Sequence, residues 1–199
     1  MKTSINTLTK SILAAIVLSS AIFSTSAMAD EKQPTKVYAP KNVTQVSVNG
    51  NVEITLVQRS KEGISYNDDN TGKVKVTQEG YALKISSVDD EVAKITLYVN
   101  NIYRVKASGD AVVKTEGKLA LKYLQVFLKE NAVAEINSDT ESLYTVIEDN
   151  ADLKLSGATE KHTLVMSKTP KLNLDRFAAL TTEVSNPDTN ALQTVALAK

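Results

Sequence analysis

A repeat of about twenty residues in the C-terminal half constrains this chain more than any other feature. Four segments align: ASGDAVVKTEG from Ala107, LKENAVAEINS from Leu128, IEDNADLKLSG from Ile147 and MSKTPKLNLDR from Met166, with starts 21, 19 and 19 residues apart. A period of this length with apolar residues at alternate positions predicts a solenoid, in which each coil buries its inner face against its neighbours.

The columns can be read by taking Asp110, Asn131, Asn150 and Thr169 as equivalent. Ala111, Ala132, Ala151 and Pro170 follow. Val113, Ala134, Leu153 and Leu172 come next on the same face, then Thr115, Ile136, Leu155 and Leu174. Lys114, Glu135, Lys154 and Asn173 fall between, on the opposite face of a strand. Ala107, Leu128, Ile147 and Met166 form a further inward column ahead of the corner. Each coil then has two short strands around an Asn-like corner. Asn and Asp tolerate left-handed backbone and bond locally, so this column is assigned a structural role. Coils stacked in this way make parallel sheets with right-handed connections. The competing leucine-rich repeat fits Val126, Leu128 and Asn131, but strict alternation after each Asn is strand periodicity.

Upstream, period-two patterning begins near Val43: Val46 and Val48, then Val52, Ile54 and Leu56, with Asn49-Gly50 as a turn between them. Asn67 to Gly72 reads as another turn rather than a calcium loop. No long helix is evident, and the fold class is all-β: a right-handed parallel β-helix or β-solenoid over residues 43–199, clearest over 103–177. A weaker fifth coil ends near Asn190-Ala191.

Residues 1–29 read as a signal peptide. Lys2 and Lys10 precede an apolar run from Ile12 to Phe23, and Ala27-Met28-Ala29 predicts cleavage after Ala29. Residues 30–42, with Pro34 and Pro40, read as a flexible leader. No segment of the mature chain has the roughly 20 apolar residues of a spanning helix. The expected location is therefore export, to the periplasm, the medium or the cell surface. The chain has no cysteine, which removes disulfides and thiolate metal sites. Its 23 basic and 23 acidic residues leave no electrostatic footprint for nucleic acid.

An export signal, the V-x-V-x-G-x-V-x-I-x-L block from Val46 to Leu56 and the V-x-A-S-G-D-A block from Val105 to Ala111 together resemble the head GIN domain family, described as "putative autotransporter adhesin" with no assigned function. The likeness extends from Val43 to Phe177. It implies a right-handed parallel β-solenoid and brings no catalytic residues. A membrane barrel, with its many strands of about 9–11 residues, is not expected in the 22 residues after Phe177.

Catalytic chemistry is not signalled. His162, the only histidine, reads as an inward or rim position in a column with Tyr103, Leu124 and Leu143. There is no nucleophile elbow and no phosphate loop. Asp110, Asp149 and Asp152 lie near one corner but are interleaved with Lys106, Lys114, Lys129 and Lys154, as on a solvated face. Neither a metal nor a cofactor is expected.

One outward column is less ordinary. Four positions before the corner stand Lys106, Phe127, Val146 and Val165, and three stacked apolar residues on an outer face need a cover. The cover is either the chain's own N-terminal strands or tail, or a partner. The sequence thus points to a non-catalytic binding or adhesion module of the bacterial envelope, with an unidentified protein or glycan ligand. A self-assembling structural protein that associates through open coil ends is the alternative. A polysaccharide-acting enzyme is the remoter one.

Overall fold

The computed structural model describes residues 39–67, 73–87, 90–167 and 170–186. The proposed signal peptide, most of the leader, the loop after Asn67, Thr169 and the Asn190-Ala191 coil lie outside the described residues.

The described chain is all-β. β1 (Gln45–Asn49) and β2 (Val52–Gln58) meet at the Asn49-Gly50 turn, followed by β3 (Gly63–Tyr66), β4 (Val74–Glu79), β5 (Ala82–Ser87) and β6 (Ala93–Val99). β7 (Arg104–Ser108), β8 (Val112–Glu116) and β9 (Leu119–Leu128) lead into three strands of 15 residues each: β10 (Val133–Ile147), β11 (Asp152–Met166) and β12 (Lys171–Ser185). All twelve join one sheet, which is mixed and open. β3 pairs antiparallel with β6 and β4 with β5, while every other pairing is parallel.

Two of the inward columns stack in register across four strands, while the column holding Leu155 and Leu174 is interrupted where the β11–β12 register shifts by one between Lys154 and Ser156. Val113 lies opposite Ala134, Ala134 opposite Leu153 and Leu153 opposite Leu172. Ala107, Leu128, Ile147 and Met166 are likewise aligned across β7, β9, β10 and β11. Ala111, Ala132 and Ala151 are fully buried. At roughly 25 cal/mol per Å² of apolar surface removed from water, these shared columns are the dominant favourable term in the fold.

Three features differ from the sequence expectation. First, stacking does not follow chain order at the N-terminal end. β1 lies between β5 and β7, and β2 between β6 and β8. The β1–β2 unit is thus flanked by a later winding on each side. Alternation fixes which face of a strand is inward, but not which strand it pairs with.

Second, the expected two short strands per coil fuse. β8 and β9 are separate, whereas the first part of β10 pairs with β8 and the rest with β9. β10 therefore runs unbroken past the position where Gly117 separates its neighbours. In β11 the matching bend is Gly157, at φ 97°, where an added Cβ would lie 2.1 Å from the Ser138 carbonyl oxygen. Only glycine allows the two strands to approach so closely there.

Third, the left-handed residues are not the Asn-like column. Positive φ occurs one position earlier, at Gly109, Glu130 and Asp149. Ala132 N–H bonds Lys129 C=O at 3.1 Å and Ala151 N–H bonds Glu148 C=O at 3.2 Å, closing four-residue turns. Positive φ at the first central residue is the requirement of this turn class, so Glu130 and Asp149 carry it and Asn131 and Asn150 do not.

Candidate functional site

Alternation along eight neighbouring strands places one continuous row of side chains on the outer face. Thr77, Lys84, Ser47 and Lys106 occupy its first half, followed by Phe127, Val146, Val165 and Ser185, each opposite the next. The sequence-derived column is the middle of this row. Val146 and Val165 are 8% and 5% exposed, and Phe127 is half-buried. The valines are flanked by each other, by Phe127 and by neighbours two residues along their own strands. The column therefore presents Phe127 rather than three apolar residues.

Phe127 is held from several sides. The Tyr144 ring is tilted against it at 5.8 Å between centroids. The Arg104 guanidinium and the Lys106 ammonium lie 5.5 and 5.7 Å from its ring centre, within cation–π range. Arg104 is itself fixed by a 2.7 Å bond from Nε to Gln125 Oε1. The arrangement is an aromatic with two cations beside it on a rigid sheet, suited to holding a ligand.

Beside Phe127 the outer surface of β4, β5, β1, β7 and β9 forms a cavity of about 460 Å³. Its lining mixes small polar side chains, Ser47, Asn49, Thr77, Ser86 and Ser108, with apolar surface from Val48, Ile85, Ala107 and Phe127. Lys75, Lys84, Lys106 and Lys129 line it, and no carboxylate does. Of these lysines only Lys106 stood in the sequence-derived outward column, and the apolar partner surface drawn from it was Phe127, Val146 and Val165. Their signal was present as outward Lys on alternating strands, but the grouping depends on the strand order, which the sequence does not give.

The face formed by β6, β2, β8, β10 and β11 is different. There Glu53 bonds Lys114 at 2.7 Å and lies 3.7 Å from Lys94, while Lys154 approaches Glu135 at 3.8 Å. The Lys114 hydrogen bond, with both ammonium charges, holds the Glu53 carboxyl below its usual range against a desolvation penalty. Alternating charge of this kind is mutually neutralised.

At the corners, Asn131 Nδ2 donates to Asp110 Oδ1 at 3.0 Å. Glu130 accepts from Gly109 N–H, and Asp149 Oδ2 from Glu130 N–H at 3.0 Å. Asn150 N–H bonds the Glu130 carbonyl at 3.0 Å. These groups link successive windings. Two of the three aspartates near this edge, Asp110 and Asp149, are engaged in such links. Among the described residues no three His, Asp or Glu gather as a metal site.

His162 faces inward and is fully buried, opposite Leu143. Its Nε2 lies 2.9 Å from Thr145 Oγ1, and its ring meets Phe177 edge-on at 5.3 Å. Burial lowers its pKa, favouring the neutral ring.

Residues 42–192 match the family described as "Putative auto-transporter adhesin, head GIN domain". The chain belongs to this family. Solved structures share the head GIN fold at low sequence identity. A "putative adhesin" from Bacteroides fragilis superposes with a TM-score of 0.66 at 18% identity, covering 76% of this chain and 74% of that one. A "putative adhesin" from Parabacteroides merdae gives 0.55 at 14% identity, with 76% of each chain covered. A "Putative lipid binding protein" from Parabacteroides distasonis gives 0.55 at 9% identity, covering 76% and 77%. Among curated proteins none matches the chain significantly.

Proposed function

We propose that this head GIN chain is exported and acts as a non-catalytic, adhesion-type binding module of the bacterial cell envelope, meeting a protein or glycan ligand with the outer face around Phe127. One observation carries this reading: Phe127, flanked by Arg104, Lys106 and Tyr144, stands in an unbroken outward row across the sheet. Phe127 is the anchor, with Val146 and Val165 packed beside it. The family description and the signal-like residues 1–29 support the adhesion and export parts. The parallel strands are read as right-handed windings of about twenty residues, in line with the hand of nearly all parallel crossovers. In this reading Asp110, Asn131 and Asn150 remain structural, linking windings beside the left-handed corner residues, and the same role is proposed for Thr169.

The test is retention on an array of immobilised glycans and extracellular-matrix proteins, with bound ligand recovered and weighed by mass spectrometry. The expected result is a retained ligand of unaltered mass whose binding falls in Phe127→Lys. Cleavage of the ligand, or equal retention of wild type and variant, would refute the reading.

A second reading, self-assembly, is favoured by the far edge. β12 pairs only with β11 among the described residues, and its Leu180 and Val184 are 83% and 65% exposed. A long unpaired edge with exposed apolar residues in its C-terminal half invites strand addition. Size-exclusion chromatography over a hundredfold concentration range tests it: assembly that grows with concentration and is abolished by Leu180→Lys supports this reading, and a monomer throughout rejects it.

A further inference from the structure

We propose that the lysine-lined cavity on the outer face of β5, β1 and β7 is a binding site for a linear anionic polysaccharide, one carrying carboxylate or sulfate groups. This rests on the binding reading above and names its ligand class.

The strand order creates the site. Ser47 lies opposite Lys84 on one side and opposite Lys106 on the other. The two lysines are therefore two strand spacings apart, about 9–10 Å between backbones. That separation is comparable to one disaccharide repeat, so successive acidic sugars can each reach an ammonium. Two residues along the strands, Asn49 stands between Ser86 and Ser108, with Lys75 beyond Ser86. Between the cations, hydroxyls and an amide, the groups that bond sugar hydroxyls, stand among the apolar surface of Val48, Ile85 and Ala107. Asn49 Nδ2 already donates to Ser108 Oγ at 2.7 Å, which fixes that part of the floor.

Half of the site's charge has no ion partner. Lys84 pairs with Glu79 and Lys129 with Glu148, both at 2.7 Å, but Lys75 and Lys106 form no ion pair among the described residues. A chain with no net charge overall has gathered four lysines and no carboxylate around one concavity, two of them without an ion partner among the described residues. A lipid surface is a poorer match. The strongly exposed hydrophobic side chains, such as Tyr81 and Tyr123, lie outside the cavity, and of the large ones lining it Ile85 is buried and Phe127 half-buried, which leaves little to insert into a bilayer. Phe127 lines one side of the cavity and adds apolar surface for the carbon face of a sugar.

The experiment measures binding of the exported chain to polygalacturonate and to the matched pair dextran sulfate and dextran, at physiological salt. Wild type is expected to bind both anionic polymers and not dextran. Lys84→Gln/Lys106→Gln should weaken binding about tenfold or more, as loss of two charge-assisted contacts. The control Lys118→Gln/Lys122→Gln removes the same charge elsewhere and should change binding less than about twofold. Matching melting temperatures for both double variants show that each is folded. Equal weakening in the two would mean diffuse charge attraction and would overturn the site. So would tighter binding to phosphatidylglycerol vesicles or to single-stranded DNA than to polygalacturonate. If the array ligand of the previous section binds but ignores Lys84 and Lys106, the adhesion reading stands and this site falls. If nothing on the array or among these polymers binds, both fall.

Discussion

The Asp149 carboxylate accepts a 3.0 Å hydrogen bond from the backbone N–H of Glu130, one winding back, and Glu130 does the same for Gly109. Glu130 and Asp149 thus each have positive φ and also cap the corner before them. A left-handed non-glycine backbone costs about 1–2 kcal/mol, and a hydrogen bond to a charged group offsets it with about 1.5–3 kcal/mol.

Asp149→Ala should lower unfolding free energy by about 1–2 kcal/mol, since this exposed bond is lost while the backbone strain stays. Asp149→Gly should cost less, because glycine removes the strain. Asn131→Ala, which loses only the exposed bond to Asp110, should cost less than about 1 kcal/mol. Urea denaturation measures all three. A larger effect at Asn131 than at Asp149 would return the corner to the Asn column.

Gly157 and Gly117 separate close packing from backbone preference. Both have positive φ, but an added Cβ at Gly117 meets nothing within 4 Å, whereas at Gly157 it would strike the Ser138 carbonyl. Gly117→Ala should cost about 1–2 kcal/mol. Gly157→Ala should exceed that by at least about 2 kcal/mol, because β10 and β11 must move apart. Thermal melts that rank the two equally would contradict the close approach.

His162 makes stability pH-dependent. Burial depresses its pKa in the folded state below the ordinary 6.5, so on acidification the unfolded chain takes up a proton first. Its contribution is complete above pH 6.5 and declines as pH falls from there toward the folded-state pKa, by up to about 1.4 kcal/mol per unit. His162→Leu, beside Leu143, should remove that slope while adding a pH-independent cost for the unpaired Thr145 hydroxyl. Urea midpoints at pH 7.5, 6.5 and 5.5 decide it; parallel slopes in wild type and variant would rule out a histidine that stays neutral.

Glu53 acts in the lower range. Its carboxyl pKa is held down by Lys114 and Lys94, so its contribution is present above the ordinary value of 4.5 and is lost as pH falls below it. The partners are about half exposed, and Glu53→Gln should cost less than about 1 kcal/mol at pH 7. A larger loss at neutral pH would mean that the Glu53 cluster is more than a surface ion pair.

The C-terminal half of the fold was legible because each winding repeats the one before it. Alternation at Ala132, Ala134 and Ile136 sets their face, and the recurring spacing sets their neighbours. The N-terminal half lacks that second constraint. Val46 and Val48 are plainly inward, yet nothing in them tells that Leu83 and Ile85 lie on one side and Val105 and Ala107 on the other. The candidate site was half legible for the same reason. Lys106 and Phe127 are one repeat apart and align at once, whereas Lys84 and Ser47 join them only through the inserted β1. The burial of Val146 and Val165 depends on the bulk of flanking side chains, which period-two patterning does not report.

Both the fold and the anionic site depend on β1 lying between β5 and β7. The chain has no cysteine of its own, so paired substitutions report this directly. Neighbouring strand positions fall within the Cα separation a disulfide requires. On oxidation, Ser47→Cys should crosslink with Lys84→Cys in one double variant and with Lys106→Cys in another, while Lys84→Cys with Lys106→Cys should remain reduced. A direct Lys84–Lys106 crosslink, with Ser47→Cys unreactive toward both, would remove β1 from the middle and take the proposed site with it.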